Sequence, residues 1–282
     1  MLLIVGGESD PNTQRIVDQA HIREVDYLLW DTDNDDCLQI AWDFEKPVLD
    51  LGDRQITPSS IYLRWNVFGG QPQRNLAAFE MIQAYAFAWP EVQLLNRKTI
   101  VDTNNKSLNL RLAREFAFAI PETLVMSNLS PLQTIPEPES KIAKPLGGGA
   151  HTKSVSTITS DLEAAAKMPP QFIQELIPGE NLRLFSVAGQ LSCFHLVTDQ
   201  LDYREDQTVD VVQVDVPDEL VAPTEKLVNH KGFDYCALDF RCRNGFESPI
   251  FLEVNSFPMF VRFDDAGENC IANSILDFLT RG

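Results

Sequence analysis

Three oxygen-bearing side chains stand near the carboxyl end of the chain in segments that are otherwise apolar. Glu253 and Asn255 lie two residues apart in FLEVNSFPMF (251–260), so in a strand both point to the same face. Asp239 belongs to the preceding apolar run, and the Asn-Gly turn between the two runs is typical of antiparallel neighbours. Burying a carboxylate without a partner is costly, which indicates that a ligand or an opposite charge lies beside it.

The donor atoms of these three side chains are hard oxygens, which suit Mg²⁺ far better than zinc. On a rigid sheet they would leave coordination positions open for phosphate and water. A structural alternative stays open at this point. In that alternative Asp239 and Glu253 form ion pairs with Arg241 or Arg262.

A second candidate site is the glycine-rich segment KPLGGG, which begins at Lys144. Backbone N–H groups of consecutive glycines can turn toward an anion, and a lysine at the end of a strand adds a positive charge. The candidate anion-binding residues of the segment are Lys144, Gly147, Gly148 and Gly149. It is not a P-loop, because the lysine precedes the glycines. The alternative interpretation is a hairpin turn with a solvated lysine.

A third candidate is the extended segment FIQELIPGENLRLF (172–185). Its apolar side chains could flank an adenine ring while its backbone contacts the edge of the ring. Glu180 or Asn181 could then reach a ribose, and Arg183 a phosphate or a carboxylate. The alternative is an exposed turn between two strands.

Composition excludes several classes of partner. The 282 residues carry a formal charge of -18, which disfavours nucleic acid and anionic membranes. The five cysteines are scattered and odd in number, which argues against a disulfide framework or a zinc site and favours reduced thiols in the cytoplasm. No apolar run reaches the length of about 20 residues that spans a bilayer. An anionic nucleotide would need a local cluster of Lys and Arg.

Periodicity predicts the elements that must position these residues. Strands alternate with helices up to residue 96, which predicts a small α/β domain with a largely parallel sheet. In this part we expect strands at 2–5, 25–31, 38–42, 47–51 and 61–65 and helices at 11–21 and 73–88, with residues 92–96 leading out of the second helix. Further on we expect a helix with Lys106 in its first turn, a strand at 120–127, a surface connection at 130–140 and a strand–glycine loop–strand unit at 141–158. The remaining predictions are helices at 161–167, 217–231 and 266–281, strands within 169–198, and strands at 233–242 and 249–255.

Together these pieces resemble the ATP-grasp superfamily over residues 96–282. The elements that carry the resemblance are, in chain order, Lys106, Lys144 with its glycines, Gln174-Glu175, Arg183, Asp239 and Glu253-x-Asn255. The stretch NNKSLNLRLAREFAFAIPETLV (104–125) is similar to one in two groups of that superfamily. They are the ribosomal-protein glutamate ligases and the microviridin-type graspetide synthetases, which close ester or amide rings in ribosomal peptides. LDYRED (201–206) is loosely similar to an Asp-Trp-Arg element of the second group, at Asp202, Tyr203 and Arg204.

The resemblance implies an α/β (α+β) chain with an ATP-grasp fold and a small N-terminal α/β pre-ATP-grasp domain. The implied domains are 1–95 and 96–282, with a lid at about 141–175 and a metal-binding sheet at about 176–282. It implies that Lys106, Lys144 and the glycines hold nucleotide phosphates and that Gln174, Glu175 and Leu176 form the adenine hinge. Asp239, Glu253 and Asn255 would bind two Mg²⁺ ions, with Mn²⁺ as an alternative. Lys144 and Arg183 would act on the reacting groups, and the loop that contains His151 would be the lid.

The implied activity is an ATP-dependent ligase that joins a carboxylate to an amine or hydroxyl through an acyl phosphate, releasing ADP and phosphate. A peptide or protein substrate is favoured, with small-molecule ligation and a non-catalytic nucleotide-binding module as alternatives. We expect no nucleic-acid or membrane partner, and related ligases are often homo-oligomers. Two departures stand out. Asn181 occupies a position that is usually acidic, and SFPMF (256–260) replaces a glycine-containing run.

Overall fold

A computed structural model describes residues 1–34, 40–99, 104–147, 152–161, 163, 165, 167–198 and 209–281. The chain begins with a four-stranded parallel sheet in the order β2-β1-β6-β7. Its strands are β1 (Leu2–Gly6), β2 (Tyr27–Asp31), β6 (Ser60–Leu63) and β7 (Gln93–Leu94), and its helices are α1 (Pro11–Ile22) and α2 (Pro72–Ala88). The central strands β1 and β6 are buried along their whole length, as uninterrupted apolar strands of a parallel sheet should be.

The stretch between β2 and β6 contains a small antiparallel sheet. Its three strands are β3 (Ala41–Trp42), β4 (Leu49–Asp50) and β5 (Gln55–Ile56). The predicted strands at 38–42 and 47–51 correspond to β3 and β4, although residues 35–39 lie outside the described part. Strand β5 was not predicted, because two residues are too few to show a period.

The middle of the chain contains helix α3 (Lys106–Glu115) and a second four-stranded sheet in the order β10-β9-β11-β8. The strands are β8 (Thr123–Met126), β9 (Lys141–Pro145), β10 (Lys153–Ser154) and β11 (Gln171–Glu175). The predicted strand after the glycine loop is mostly wrong. It ends after two residues and helix α4 (Val155–Thr159) follows, because the Ser154 side chain accepts a hydrogen bond from the Ser156 amide and caps a helix there.

Two other predictions in the middle of the chain need comment. The connection at 130–140 contains two short 3₁₀ turns, Ser130–Thr134 and Pro138–Ser140, and Leu132 in the first turn is buried. The predicted helix at 161–167 is described only at alternate positions, so it stays a prediction.

The C-terminal part is a five-stranded antiparallel sheet in the order β14-β13-β12-β15-β16, covered by helices. The strands are β12 (Glu180–Val187), β13 (Gln190–Val197), β14 (Asp210–Val214), β15 (Tyr235–Asn244) and β16 (Glu247–Asn255), and the helices are α5 (Asp218–Lys231), α6 (Val261–Ala266) and α7 (Cys270–Thr280). The predicted closing helix at 266–281 corresponds to α7, and α6, which precedes it, was not predicted. They are separated at Glu268 and Asn269, which have positive φ angles of 51° and 63° and cannot continue a right-handed helix.

The two faces of this sheet bury different partners. Leu182, Leu238 and Val254 point to one face, where they pack with the inner sides of α3 and α5. Phe185 and Ala237 point to the other face, where they share a core with α7 and with side chains of β1 and α1. The second face therefore joins the N-terminal sheet to the C-terminal sheet. Within the described residues no helix is long and apolar enough to cross a bilayer.

Candidate active site

Three neighbouring strands bring the predicted polar residues into one row. Arg183 of β12 is directly opposite Asp239 of β15, and Asp239 is directly opposite Glu253 of β16. Asn255 follows two residues after Glu253 and lies on the same face. The register of β15 and β16 shifts between Asp239 and Phe240, so a bulge sits beside the row. Bulges commonly redirect side chains at functional sites.

The row is connected by short polar contacts. The Arg183 guanidinium lies 3.1 Å from Asp239 Oδ1, and both side chains are buried. The Asn255 amide nitrogen lies 3.5 Å from Asp239 Oδ2 and 3.4 Å from Glu253 Oε1. Four polar side chains thus converge on one site.

Lys106 completes the cluster from a different element. It is the first residue of α3, where the Asn105 side chain accepts a hydrogen bond from the Leu108 amide and caps the helix. Helix α3 packs against β16, the edge strand of the sheet. The Lys106 ammonium therefore lies 3.0 Å from Glu253 Oε2.

The electrostatics of Glu253 reflect these neighbours. Burial raises the pKa of its carboxyl, but the charge and hydrogen bond of Lys106, the charge of Lys144 and the Asn255 amide together lower that pKa below its usual value. Glu253 is consequently ionised at neutral pH. Lys144, on β9 of the other sheet, is thus electrostatically coupled to the same site.

The donor set fits a magnesium ion. Asp239 and Glu253 supply carboxylate oxygens, and Asn255 supplies an amide oxygen after rotation of its amide, whose O and N positions are an assignment. All three are hard oxygen ligands of the type that Mg²⁺ prefers. Within the described residues no group of three or more His, Cys, Asp or Glu side chains is arranged to hold a metal, so any site here depends on the asparagine.

The ion pairs observed at Asp239 and Glu253 involve cations other than those named in the structural alternative. Arg241 donates to the Gly179 carbonyl at 2.8 Å. The cations beside Asp239 and Glu253 are Arg183 and Lys106, both of which are themselves predicted site residues. The cluster is therefore assembled from the residues that the superfamily resemblance singles out.

The predicted adenine hinge lies on β11 and just after it. Gln174 is buried and donates from its side chain to the Thr123 hydroxyl at 3.0 Å. Glu175 accepts from Arg243 at 2.8 Å and from the Glu122 amide at 3.1 Å. The Leu176 amide donates to the Ser140 carbonyl at 2.7 Å, while its side chain is partly exposed. The hinge is thus held to β8 and to the residue before β9, and its role in binding adenine stays a prediction.

The two candidates for ribose contact, Glu180 and Asn181, point to opposite faces of the sheet because side chains alternate along β12. Asn181 shares a face with Arg183, is buried, and donates from its side chain to the Thr198 carbonyl at 3.4 Å. Glu180 points to the opposite face, where it lies 2.6 Å from His195 Nε2. The structure therefore brings Asn181, and not Glu180, to the side of the sheet that carries the cluster.

Part of the predicted phosphate loop can be placed. Gly147 follows β9, and a Cβ added there would meet no atom within 4 Å, so neither packing nor a positive φ requires glycine. Gly148, Gly149 and His151 lie outside the described residues, as do Asp202, Tyr203 and Arg204. Their predicted roles stay predictions.

The ion-pair partner of Arg64 was not predicted from the sequence. Arg64, at the end of β6, forms a buried ion pair through Nε with Asp10, the residue that caps α1. Asp10 carried no sequence signal beyond its place before Pro11. Among the described cysteines, Cys193 and Cys242 are poor nucleophiles, because burial raises the pKa of each thiol to about 12.

Comparison with solved structures decides the fold. The ATP-grasp ligase PsnB, solved with a phosphomimetic variant of its minimal precursor, Mg and ADP, superposes with a TM-score of 0.77 at 19% identity, over 99% of this chain and 97% of that chain. The macrocyclase MdnC from Microcystis aeruginosa MRC, bound with its precursor peptide MdnA, gives 0.77 at 19% identity over 100% of both chains. This chain has the ATP-grasp fold.

The likeness extends to a synthetase of another kind. D-alanyl-alanine synthetase A from Vibrio cholerae O1 biovar eltor str. N16961 superposes with a TM-score of 0.67 at 12% identity, over 99% of this chain and 97% of that chain. At the level of sequence no family model and no curated protein matches the chain. The predicted α/β fold class and the resemblance to ATP-grasp ligases of the macrocyclase type are thus confirmed in three dimensions. The domain boundary at 95/96 stays a prediction.

Proposed function

We propose that the chain is an ATP-dependent ligase that activates a carboxylate as an acyl phosphate and joins it to an amine or hydroxyl, forming a C–N or ester bond. The observation that carries the proposal is the cluster on the C-terminal sheet. There Asp239, Glu253 and Asn255 lie within contact distance of each other or of the cations Lys106 and Arg183. ATP and Mg²⁺ are the cofactors that such a cluster suits, with Mn²⁺ as an alternative.

The electrostatics support binding of a triphosphate despite a net charge of -18. Lys106, Lys144 and Arg183 place three positive charges around two carboxylates, which makes the site locally cationic. Phosphoryl transfer depends mainly on positioning and charge neutralisation, so no side-chain nucleophile is required. Asp239, Glu253 and Asn255 would hold magnesium, which would supply positive charge to offset the negative charge of the phosphates.

Each side chain then has a defined task. Asp239, Glu253 and Asn255 would hold the metal, and the lysines would bind phosphate oxygens. Arg183, fixed between Asp239 and the rings of Phe185 and Phe263 at 5.4 and 5.3 Å, would orient the acyl phosphate and its leaving group. The amine or hydroxyl would attack the carbonyl carbon and expel phosphate.

We favour a peptide or protein as the substrate. PsnB and MdnC, which this chain matches over nearly its whole length, were both solved with their precursors. A chain charge of -18 suits a substrate that carries lysine near its acceptor group. In keeping with the cysteine usage, we place the protein in the cytoplasm.

Turnover and nucleotide binding should be measured separately for wild type, Glu253→Gln and Glu247→Gln. Glu247 is an exposed glutamate at the start of the same strand and serves as the matched control. ADP release is followed with Mg²⁺-ATP, a panel of Asp- and Glu-containing peptides and free amino acids, and hydroxylamine, which traps an acyl phosphate as a hydroxamate. We expect wild type and Glu247→Gln to form hydroxamate and ADP in equal amounts, and Glu253→Gln to be slower by about 100-fold.

The result that contradicts the proposal is specific. If wild type binds ATP but yields neither ADP nor hydroxamate with any carboxylate, the chain is a nucleotide-binding module without turnover. If only free amino acids support the reaction, it is a small-molecule ligase. That second candidate is favoured by the likeness to D-alanyl-alanine synthetase A.

A further inference from the structure

A concave apolar pocket lies between the end of β6 and the segment that follows β16. Its volume is about 250 Å³. Its walls come from the N-terminal sheet with α2 on one side and from the segment SFPMF on the other. The lining residues are Leu63, Arg64, Trp65, Val67, Phe79, Phe257 and Met259. The carboxyl ends of parallel strands, where β6 ends, are a common position for ligands.

The SFPMF segment is fixed so that alternate side chains face this pocket. Ser256, Pro258 and Phe260 are buried, whereas Phe257 and Met259 are 37% and 50% exposed. Apolar side chains of this size seldom stay exposed as a group unless they bind something.

Hydrogen bonds hold the backbone of the segment at four points. The Asn96 side chain donates to the Ser256 carbonyl, and the Ser256 amide donates to Asn104 at 3.2 Å. The Tyr235 hydroxyl donates to the Pro258 carbonyl at 2.9 Å, and the Phe260 amide donates to the Asn12 side chain at 2.8 Å. Phe257 and Met259 are therefore presented on a preorganised frame, which lowers the entropy lost on binding.

The opposite wall is apolar and partly exposed as well. Trp65 is 47% exposed and Val67 is 58% exposed. Arg64 brings a guanidinium to this wall, but its ion pair with the buried Asp10 balances that charge. The pocket is therefore suited to a neutral side chain.

The pocket adjoins the proposed reaction site. Phe257 follows Asn255 by two residues, a separation of at most about 7 Å along the backbone. In liquid water, roughly eight molecules would occupy the volume of this pocket, which is enough space for one large side chain. A residue next to the reacting residue of a bound substrate would thus be within reach.

We infer that this pocket selects the substrate by binding one large apolar side chain, aromatic or aliphatic, next in sequence to the reacting residue. The inference rests on the proposed ligase function for the statement that the ligand belongs to a substrate. A second copy of the chain is a poorer occupant, because a stable dimer buries about 800 Å² on each partner and this concavity holds a single side chain.

The binding can be tested without ATP or turnover. Wild type labelled at its methionine methyl groups is titrated with N-acetyl-phenylalaninamide, N-acetyl-leucinamide or N-acetyl-glutaminamide while the five methyl resonances are followed by NMR. We expect the two apolar probes to shift the Met259 resonance with dissociation constants on the order of 1 mM and to leave the other four unchanged. The glutamine probe should cause no saturable shift.

Two variants control the experiment. Val67→Asp places a carboxylate in the pocket and should weaken the Met259 response at least about tenfold. Phe87→Asp changes a similarly exposed apolar residue on α2 that does not line the pocket, and should behave as wild type.

The outcomes separate this inference from the proposed function. Equal shifts with all three probes, no Met259 shift, or an unchanged response in Val67→Asp would each overturn it. A Met259 shift on dilution, together with a change of mass in sedimentation velocity, would show that a second copy occupies the pocket and would also overturn it. Probe binding in a chain that fails the hydroxamate assay would leave a selective pocket and reject only the ligase.

Discussion

At the scale of single residues, the ion pair between Lys106 and Glu253 sets the charge state of the site. The pKa of Glu253 is lowered because Lys106, with Lys144 and Asn255, more than offsets the effect of burial. A carboxyl whose pKa falls on folding adds stability above its ordinary pKa of about 4.3 and loses that stability as pH drops through the lowered value. Part of the stability that the protein loses at acidic pH therefore comes from this ion pair.

Lys106→Met should accordingly raise the pKa of Glu253, because it removes the positive charge and hydrogen bond that offset the effect of burial on that pKa. We expect the free energy of unfolding to depend less steeply on pH between about 3 and 5 than it does in wild type. Urea unfolding across that range measures the slope. Lys167→Met, which removes an exposed lysine paired with Glu163, is the control, and an identical slope in Lys106→Met would show that the pair does not set this pKa.

Some of this site was predictable from sequence and some was not. The shared face of Glu253 and Asn255 follows from their spacing alone, and the turn at Asn244-Gly245 indicates Asp239 as their neighbour. The choice between Glu180 and Asn181 was not predictable. It depends on which face of β12 carries Arg183 toward Asp239, and that is set by pairing between strands far apart in sequence.

At the scale of elements, the turn at Pro178-Gly179 leads into β12, the strand that carries Arg183, the first residue of the polar row. Gly179 has a φ of 115°, and a Cβ there would lie 1.9 Å from the Cys242 carbonyl oxygen, which belongs to β15 and cannot move easily. Arg241 also donates to the Gly179 carbonyl. The glycine is therefore required by both conformation and packing.

Gly179→Ala should destabilise the protein by more than about 2 kcal/mol in urea unfolding. Gly189→Ala is the matched comparison, because Gly189 also has a positive φ of 85° but a Cβ there would meet no atom within 4 Å. Its cost should be limited to backbone strain of about 1 kcal/mol. Equal losses in the two variants would mean that the clash with Cys242 contributes nothing.

We expect Gly147, which follows β9, to tolerate alanine without the loss of stability expected at Gly179. A Cβ at Gly147 meets open space without a positive φ, so Gly147→Ala should leave the free energy of unfolding within about 0.5 kcal/mol of wild type. If its backbone approaches a phosphate, ATP binding measured by calorimetry should weaken several-fold. Loss of stability with unchanged ATP affinity would assign this glycine a structural role instead.

At the scale of the whole molecule, sequence predicted two successive units, but it did not predict how they pack. Strand–helix alternation is a local signal and identified the N-terminal sheet. The core that joins Leu2, Ile4 and Ile16 to Phe185 and Ile275 depends on contacts between residues more than 100 positions apart. Hydrophobic periodicity is local, so it does not indicate which face of the N-terminal sheet packs against which helix of the C-terminal part.

This shared core bears on whether residue 95 separates independently stable domains. Arg15 donates to the Asn269 side chain at 2.8 Å, and Arg23 lies 2.6 Å from Asp277, so polar contacts surround the same interface. A fragment of residues 96–282 would expose the apolar side chains that now pack on the N-terminal sheet. Each costs about 1.5–3 kcal/mol when left in water, and several together approach the total stability of a domain, about 5–15 kcal/mol.

We therefore expect fragment 96–282 to lack a cooperative urea transition and a native near-ultraviolet circular dichroism spectrum. The intact chain should unfold in a single transition, because its two sheets lose their common core together. Adding fragment 1–95 in trans should restore part of the native spectrum, since the missing half of the core is supplied. A cooperative transition of 96–282 alone, with nucleotide binding equal to that of the intact chain, would instead show that the ATP-grasp part is stable without the N-terminal sheet.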